Sequence, residues 1–410
     1  MNTRAVRFPL MDSARAIAAL WVMVFHAAFV TGFLQTGDLI LRPFLALVGV
    51  APTLFFLISG FLLYRPFARS HIEDGRPPDV ARYAWGRLLR IGPAYWVALT
   101  IVVVAFGVNG GFTVREAPLY YGFGQIYDAA KSYGGIQQAW TLAVEVSFYA
   151  FLPLWALLVR RLRGGDEDRR AKVELATLGL LFLASVGYKI WLVGHVDPSS
   201  LAGGPRFVPL PNYLDAFAVG MAVAVIGVWN ERRGVLTRPI EIVRGHPTAL
   251  WIAAAALVWV VGDRMGFNGH AGATFSNATF LARWELQILA ALLLLLPTVF
   301  TGATGLAPRV LAARPLLFLG LVSYGFYLYH YAIIEFVQRH VTGDMTAGAG
   351  VRFAVCVAIA LPLSVAAAAL SYYLVERPAL GLKRLVGRAP DEGEAVAEPA
   401  PAVPPAAGAR

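Results

Sequence analysis

An arginine and a histidine on one apolar stretch, Arg15 and His26, are the pair in this sequence best placed to work together. They stand eleven positions apart, and eleven steps of roughly 100° return to nearly the same face of a helix. One face of one apolar helix would therefore carry both groups, about 16 Å apart along its axis. An ionisable group deep in a bilayer costs roughly 2.5–3.5 kcal/mol or more, so it ordinarily faces a polar interior and has a function there. His26 is thus the first candidate for catalysis. A packed histidine bonded to a neighbouring helix is the plain alternative.

The elements that must position this pair are membrane helices. The 410 residues are 58% hydrophobic and only 15% charged, with a mean hydropathy of +0.61, which describes a polytopic membrane protein rather than a soluble one. Spans are expected at about 14–34, 43–64, 92–108, 140–159, 173–194, 213–230, 248–264, 280–300, 317–339 and 351–375. The expected fold is all-α, with about ten transmembrane helices. Basic clusters alternate between the connections: Arg65 to Arg90 after the second span, Arg160 to Lys172 after the fourth, Arg232 to Arg244 after the sixth. By the positive-inside rule both termini are expected in the cytoplasm of a cell (plasma) membrane protein. The net charge of +10 sits in these short loops and not on one basic surface, so nucleic acid is not an expected partner.

Other classes are disfavoured in the same way. Cys356 is the single cysteine, which excludes a disulfide framework and a cysteine-based metal site. The first apolar segment carries Arg15 and His26 and runs on to about Leu34 with no small-x-small cleavage site at its end, so it is read as a retained helix. No repeat of fixed period is present, which weakens one usual sign of a transporter. Residues 1–388 are read as one membrane domain and 389–410, rich in Ala, Pro, Glu and Gly, as a disordered cytoplasmic tail. The connection from about Asn109 to Ala139 is read as a lid or as a mere connector.

Counting about 1.5 Å per residue from the helix ends places His26, Glu145, Glu285 and His330 in the outer half of the membrane. Their convergence would make a polar cavity open to the outside. On the inner side, Arg87-Leu88-Leu89-Arg90 puts two guanidinium groups on nearly one face, at the expected start of the third helix. Two such forks suit phosphate oxygens. Each feature has a bland counterpart. Arg-x-x-Arg can be a topology signal, Glu145 can pair with Arg283 or Lys189, Tyr327 to Tyr331 can be an interfacial aromatic belt, and Ser59-Gly60 can serve close helix packing. The residues alone admit a membrane enzyme, a transporter or flippase of an anionic glycolipid, and a sensor or scaffold.

Six motifs, in order, resemble the acyltransferase 3 family of integral membrane acyltransferases. They are Asp12-Ser13-Ala14-Arg15 through His26, Phe55 to Phe61 with Ser59-Gly60, Arg87-Leu88-Leu89-Arg90 with Pro93, Tyr95 and Trp96, Trp140 to Tyr149 with Glu145, Ser323 to His330, and Val375-Glu376-Arg377-Pro378. Ser13 and Ala16 stand where glycine is common in the family, and Val146 stands where many members have a second acidic residue.

The resemblance implies transfer of an acyl group, usually acetyl, from acyl-coenzyme A to a hydroxyl of a carbohydrate or glycosylated small molecule. No bound cofactor and no metal are implied; acyl-CoA is the donor substrate. Arg15, Arg87 and Arg90 would hold its phosphates, and His26 would act as general base or acyl relay. Glu145 would orient the imidazole or position the acceptor. Asp12, Ser59, Trp140, Tyr149, Glu285, Tyr327 and His330 are candidates for acceptor contacts or support. Many relatives carry an appended extracytoplasmic domain, so a second transfer step is expected to need a separate extracytoplasmic transferase.

Overall fold

A computed structural model describes residues 8–35, 40, 42–106, 112–162, 164–198, 203–265, 276–300 and 305–385, and among these described residues ten helices are long and apolar enough to cross a membrane. They are α1 (Pro9–Val30), α2 (Val50–Ile72), α3 (Val80–Ile101), α4 (Trp140–Leu162), α5 (Glu167–Val193), α6 (Leu214–Arg233), α7 (Pro247–Met265), α8 (Asn277–Val299), α9 (Arg314–Val337) and α10 (Ala349–Ser371). Among the described residues there is no strand, so the protein is all-α and multi-pass. The tail at 389–410 lies outside the described residues.

Among the helix boundaries that depart from the sequence expectation, charge explains two. The second span runs on to Ile72 because Arg65 and Arg69 need not end it: both reach Glu231 at the end of α6, at 2.5 and 2.7 Å. The third helix begins well before its apolar run. Asp79 caps it by accepting the Arg82 amide at 3.1 Å, satisfying one of the orphan donors of the first turn. Arg87 and Arg90 are therefore inside α3, one turn apart on a continuous helix.

Small residues let the central helices touch backbone to backbone. α2 crosses α6 where Gly60 faces the Phe217 carbonyl and Gly220 faces the Leu57 carbonyl; a methyl group at either position would collide with that oxygen. α1 meets α9 in the same way, Gly320 lying on the backbone of Asp12. Beside this contact the Ser13 hydroxyl donates to the Leu311 carbonyl at 2.6 Å. α1, α2, α4 and α9 all contribute side chains to a shared interior.

Buried polar links tie α5 into the bundle. Glu174 accepts hydrogen bonds from Tyr64 and His71 of α2. The Lys189 ammonium, fully enclosed, pairs with Asp215 of α6 and with Glu285 of α8, the latter at 2.5 Å. The basic helix ends gather at one end of the bundle, where Arg232 pairs with Glu167 at 2.8 Å, Arg233 with Asp168 at 3.2 Å, and Arg160 donates to Ser70 at 3.3 Å.

At the opposite end the connection after α3 folds back over the helices from Phe112 onward; residues 107–111 lie outside the described set. Tyr95 and Trp96 donate to the carbonyls of Tyr120 and Tyr121 at 2.9 and 3.0 Å. Lys131 pairs with Glu116, and this bond, followed by those from Thr113, holds the Glu116 carboxyl down to about 2.

The Lys189 triad yields a stability prediction. Lys189→Met leaves two carboxylates without their cation, a loss of roughly 3–5 kcal/mol for a buried pair. The unfolding temperature of the purified protein should fall clearly, and Asp215→Asn in the same chain should recover part of the loss. An unchanged unfolding temperature in Lys189→Met would remove the triad from the account of stability.

Candidate active site

Two chambers lie in line within the bundle. The first, about 130 Å³, opens among the basic helix ends and is lined by Arg15, Arg87, Arg90, Ser59, Glu145 and Tyr324 with apolar neighbours. The second, about 240 Å³, lies further along the same helices and is lined by His26, Thr53, Gln138, Trp140, Trp284 and Gln287 among others. Helix direction produces the order. Arg15 precedes His26 on α1, Thr53 precedes Ser59 on the oppositely running α2, and Tyr324 precedes Tyr327 on α9. Each of these three helices therefore supplies residues to both chambers, at successive levels along its axis.

In the first chamber Glu145 is the floor. One of its oxygens accepts from the Ser59 hydroxyl at 2.9 Å and the other from the Tyr149 hydroxyl at 3.0 Å. Arg15 is held by Asp12, one turn earlier, at 2.9 Å. Arg90 stands 3.9 Å from the buried Glu376, and Tyr324 donates to the Ile91 carbonyl at 2.8 Å. The Arg87 Nε is buried and has no hydrogen-bond partner among the described residues. A fourth cation approaches from beyond α10. Trp85 of α3 donates to the Leu382 carbonyl at 3.3 Å. The adjoining Lys383 has its ammonium pushed down to about 8, first by burial and then by Arg87 and Arg90.

The second chamber is built around two imidazoles. His26 Nδ1 lies 2.9 Å from His330 Nε2, with the rings stacked at 5.2 Å. His330 Nδ1 lies 2.9 Å from the Tyr327 carbonyl and 3.2 Å from that of Phe326. Carbonyls only accept, so His330 carries its proton on Nδ1, and a neutral ring then offers a lone pair at Nε2. His26 must donate to it from Nδ1. The network thereby assigns His26 a bare lone pair at Nε2, the form a base or nucleophile needs.

An aromatic wall faces this pair. Trp140, Tyr213 and Trp284 follow one another with ring centroids 5.7 and 5.1 Å apart. The Lys189 ammonium lies 4.9 Å from the Trp284 ring, so the buried triad also braces the chamber. Gly49 has no side chain where one would strike the Gln287 amide. Ring faces and amides of this kind bind polyhydroxylated molecules through C–H contacts and hydrogen bonds.

The four ionisable groups expected to share an outer cavity do not all meet. His26 and His330 do. Glu145 lies one turn beyond Thr141 on α4, which carries it past the point where the chambers divide and into the arginine chamber. It is no partner of the imidazole; His330 holds that place. Nor does Glu145 pair with Arg283 or Lys189: Arg283 donates to the Ala46 carbonyl at 3.2 Å. Glu285 turns to Lys189, and its neighbours Trp284 and Gln287 line the chamber in its stead. Arg15, Arg87, Arg90, Ser59, Tyr149 and Tyr327 do line or adjoin the first chamber, with Asp12 at its entrance through Arg15. Trp140 belongs to the second.

Sequence reasoning passed over Lys383, Gln138, Thr141, Tyr213, Trp284 and Gln287. Only Lys383 carried a signal, as one of several basic residues after the last span. Among the described residues no group of three or more His, Cys, Asp or Glu side chains is placed to hold a metal ion.

Comparison with known proteins agrees with this architecture. Residues 9–370 match the model of a family described as an acyltransferase domain. Nodulation protein 10 of Rhizobium leguminosarum bv. viciae is 27% identical over 404 residues, 91% of this chain and 93% of that protein. Acyltransferase MdmB of Streptomyces mycarofaciens is 27% identical over 423 residues, 95% and 97% of the two chains. The peptidoglycan O-acetyltransferase OatA of Listeria monocytogenes is 22% identical over 340 residues, 80% of this chain but 49% of its own length. No solved structure matches the chain.

The tautomer assignment is open to chemical test. Diethyl pyrocarbonate acylates an unprotonated imidazole nitrogen, so His26 should react before His330, whose two nitrogens are both engaged. Peptide mapping after limited modification reads the order. His330 reacting first would reverse the assignment, and His330→Phe should change the rate at His26.

Proposed function

The chain belongs to the acyltransferase family whose domain model it matches, and from that premise we propose that it moves an acyl group, acetyl in the first instance, from acyl-coenzyme A to a hydroxyl of a carbohydrate or glycosylated small molecule in a cell membrane. One observation carries this reading. A histidine with a bare Nε2 stands in a chamber that adjoins, through shared walls, a second chamber ringed by arginines.

The donor enters the arginine chamber. Coenzyme A carries several phosphate charges, and Arg15, Arg87, Arg90 and Lys383 supply cations and donors for them. Glu145, with Ser59 and Tyr149, offers acceptors to the amides of the pantetheine arm. The axial rise of about 16 Å from Arg15 to His26 suits a donor that is anchored at one end and reacts at the other.

The acceptor occupies the outer chamber, its ring against Trp140 and Trp284 and a hydroxyl directed at His26. As that oxygen attacks the thioester carbonyl, His26 Nε2 takes its proton. His330 accepts the Nδ1–H bond and fixes the ring as a triad partner would. The C–S bond breaks, the sulfur leaves with the electron pair and receives the proton from the imidazolium, and an ester and the free thiol result. The same lone pair also suits a relay in which the histidine is acylated first. A carbohydrate acceptor is supported by the Listeria relative, a peptidoglycan O-acetyltransferase; a separate extracytoplasmic transferase would serve any later step.

Turnover of acetyl-CoA by the purified protein in nanodiscs, followed as thiol release, tests the reading. His26→Ala should lose roughly 10²–10⁴-fold in rate, while Arg87→Ala should raise the apparent KM for acetyl-CoA. Full activity in His26→Ala would sink the role of that residue. Translocation of an anionic glycolipid without any acyl donor would instead favour the transporter.

Lys383 adds a pH dependence. Its ammonium is charged below about 8, so raising the pH through and above that value removes one of the cations facing the phosphates. Acetyl-CoA binding should weaken over this range, and Lys383→Met should bind more weakly at pH 7 with the dependence gone. A dependence that survives in Lys383→Met would place its origin elsewhere.

A further inference from the structure

The two chambers share only Thr141 and Tyr327 among the described lining residues. These two side chains are bonded to each other: the Tyr327 hydroxyl lies 2.8 Å from Thr141 Oγ1. Both also reach the Gln138 carbonyl, Tyr327 at 3.1 Å and Thr141 at 3.2 Å. Two hydroxyl protons fill two of these three contacts at a time; with Thr141 donating to Tyr327 and Tyr327 to the carbonyl, a chain of hydrogen bonds crosses the dividing plane. The backbone of Tyr327 is held as well, since the Gln138 amide donates to the carbonyls of Tyr327 and Leu328 at 2.8 and 3.0 Å. Phe55 meets the phenol ring at 5.9 Å in an edge-on contact.

We propose that Tyr327, latched to Thr141 and Gln138, is the door between the arginine chamber and His26 and sets the length of acyl group that the protein transfers. The acyl-length part rests on the donor reading given above. The phosphates are on one side of the phenol and the reacting nitrogen on the other, so a thioester reaches His26 only by displacing this side chain. Breaking hydroxyl bonds that re-form behind the ligand is a small cost, but the space vacated beside Phe55 and Thr141 is fixed by packed helices. A single methylene in such a space discriminates by roughly 10–200-fold. An acetyl group presents one methyl to the gap, and each longer chain must place its extra methylenes in the plane of the door or beyond it. Tyr327 is a positioning and specificity residue in this account, and no bond to it forms or breaks during transfer.

Two measurements test the proposal separately. The first uses no acyl donor. Cys356 is buried, so a cysteine at Thr53 reports on the outer chamber and one at Ser59 on the inner. In sealed vesicles of both orientations, a membrane-impermeant maleimide should reach Thr53→Cys from one face only and Ser59→Cys from the other. Adding Tyr327→Ala should open Thr53→Cys to the second face. Labelling of Thr53→Cys that is two-sided from the start, or is unaltered by Tyr327→Ala, overturns the door.

The second measurement is the ratio of butyryl-CoA to acetyl-CoA turnover, read as thiol release in nanodiscs. It should rise about tenfold or more in Tyr327→Ala and in the same direction, less, in Thr141→Val, which keeps the volume and removes the Thr141 half of the latch while the bond to the Gln138 carbonyl stays. A ratio unchanged in both variants overturns the specificity role. If the wild type turns over no acyl-CoA, the donor reading fails and the acyl-length role falls with it, while the labelling still decides whether the door exists.

Discussion

An apolar slab has no water to satisfy a polar group, so each ionisable side chain within it must find another polar group or a cavity. This constraint organises the interior. It joins His26 of α1 to His330 of α9, gathers Lys189, Asp215 and Glu285 from three helices, and ties Glu174 of α5 to two side chains of α2. It also reaches down to a proton. Because the Phe326 and Tyr327 carbonyls can only accept, the tautomer of His330 follows, then that of His26, and the bare nitrogen of His26 is set by the backbone of the neighbouring helix. The small residues at the crossings belong to the same logic, since hydrogen bonds between helices need backbones that approach closely.

The sequence made the slab legible and left its interior less so. Hydropathy and basic clusters were enough for ten spans and for one basic end, because these depend on composition over about twenty residues. Boundaries were less visible where a charge has a distant partner. Arg65 and Arg69 read as the end of a span until Glu231, far away in the chain, is seen beside them. Depth along a helix was read correctly enough to find His26 and His330, yet it could not reveal a dividing plane. Glu145 and Thr141 lie on one face of α4, a single turn apart, and the turn between them is where one chamber ends. Lateral order was equally hidden: which of Trp284, Glu285 and Gln287 faces the chamber depends on where Lys189 sits, and that lies on another helix.

The division into chambers has a physical rationale in the chemistry proposed for them. A polyanionic coenzyme cannot cross the membrane interior cheaply, because each unpaired charge costs several kcal/mol there. A short acyl group is neutral and apolar and meets no such barrier. In that proposal, cations at one end of the bundle and a neutral imidazole about three helical turns away would separate the two halves of the donor by their solvation: the handle would stay where arginines and water compensate it, and only the end that the slab tolerates would advance. A neutral histidine pair suits the far end, since a permanent charge beside His26 would need its own counter-ion in the slab. The carboxylate of Glu145 is found on the arginine side, where that requirement is already met.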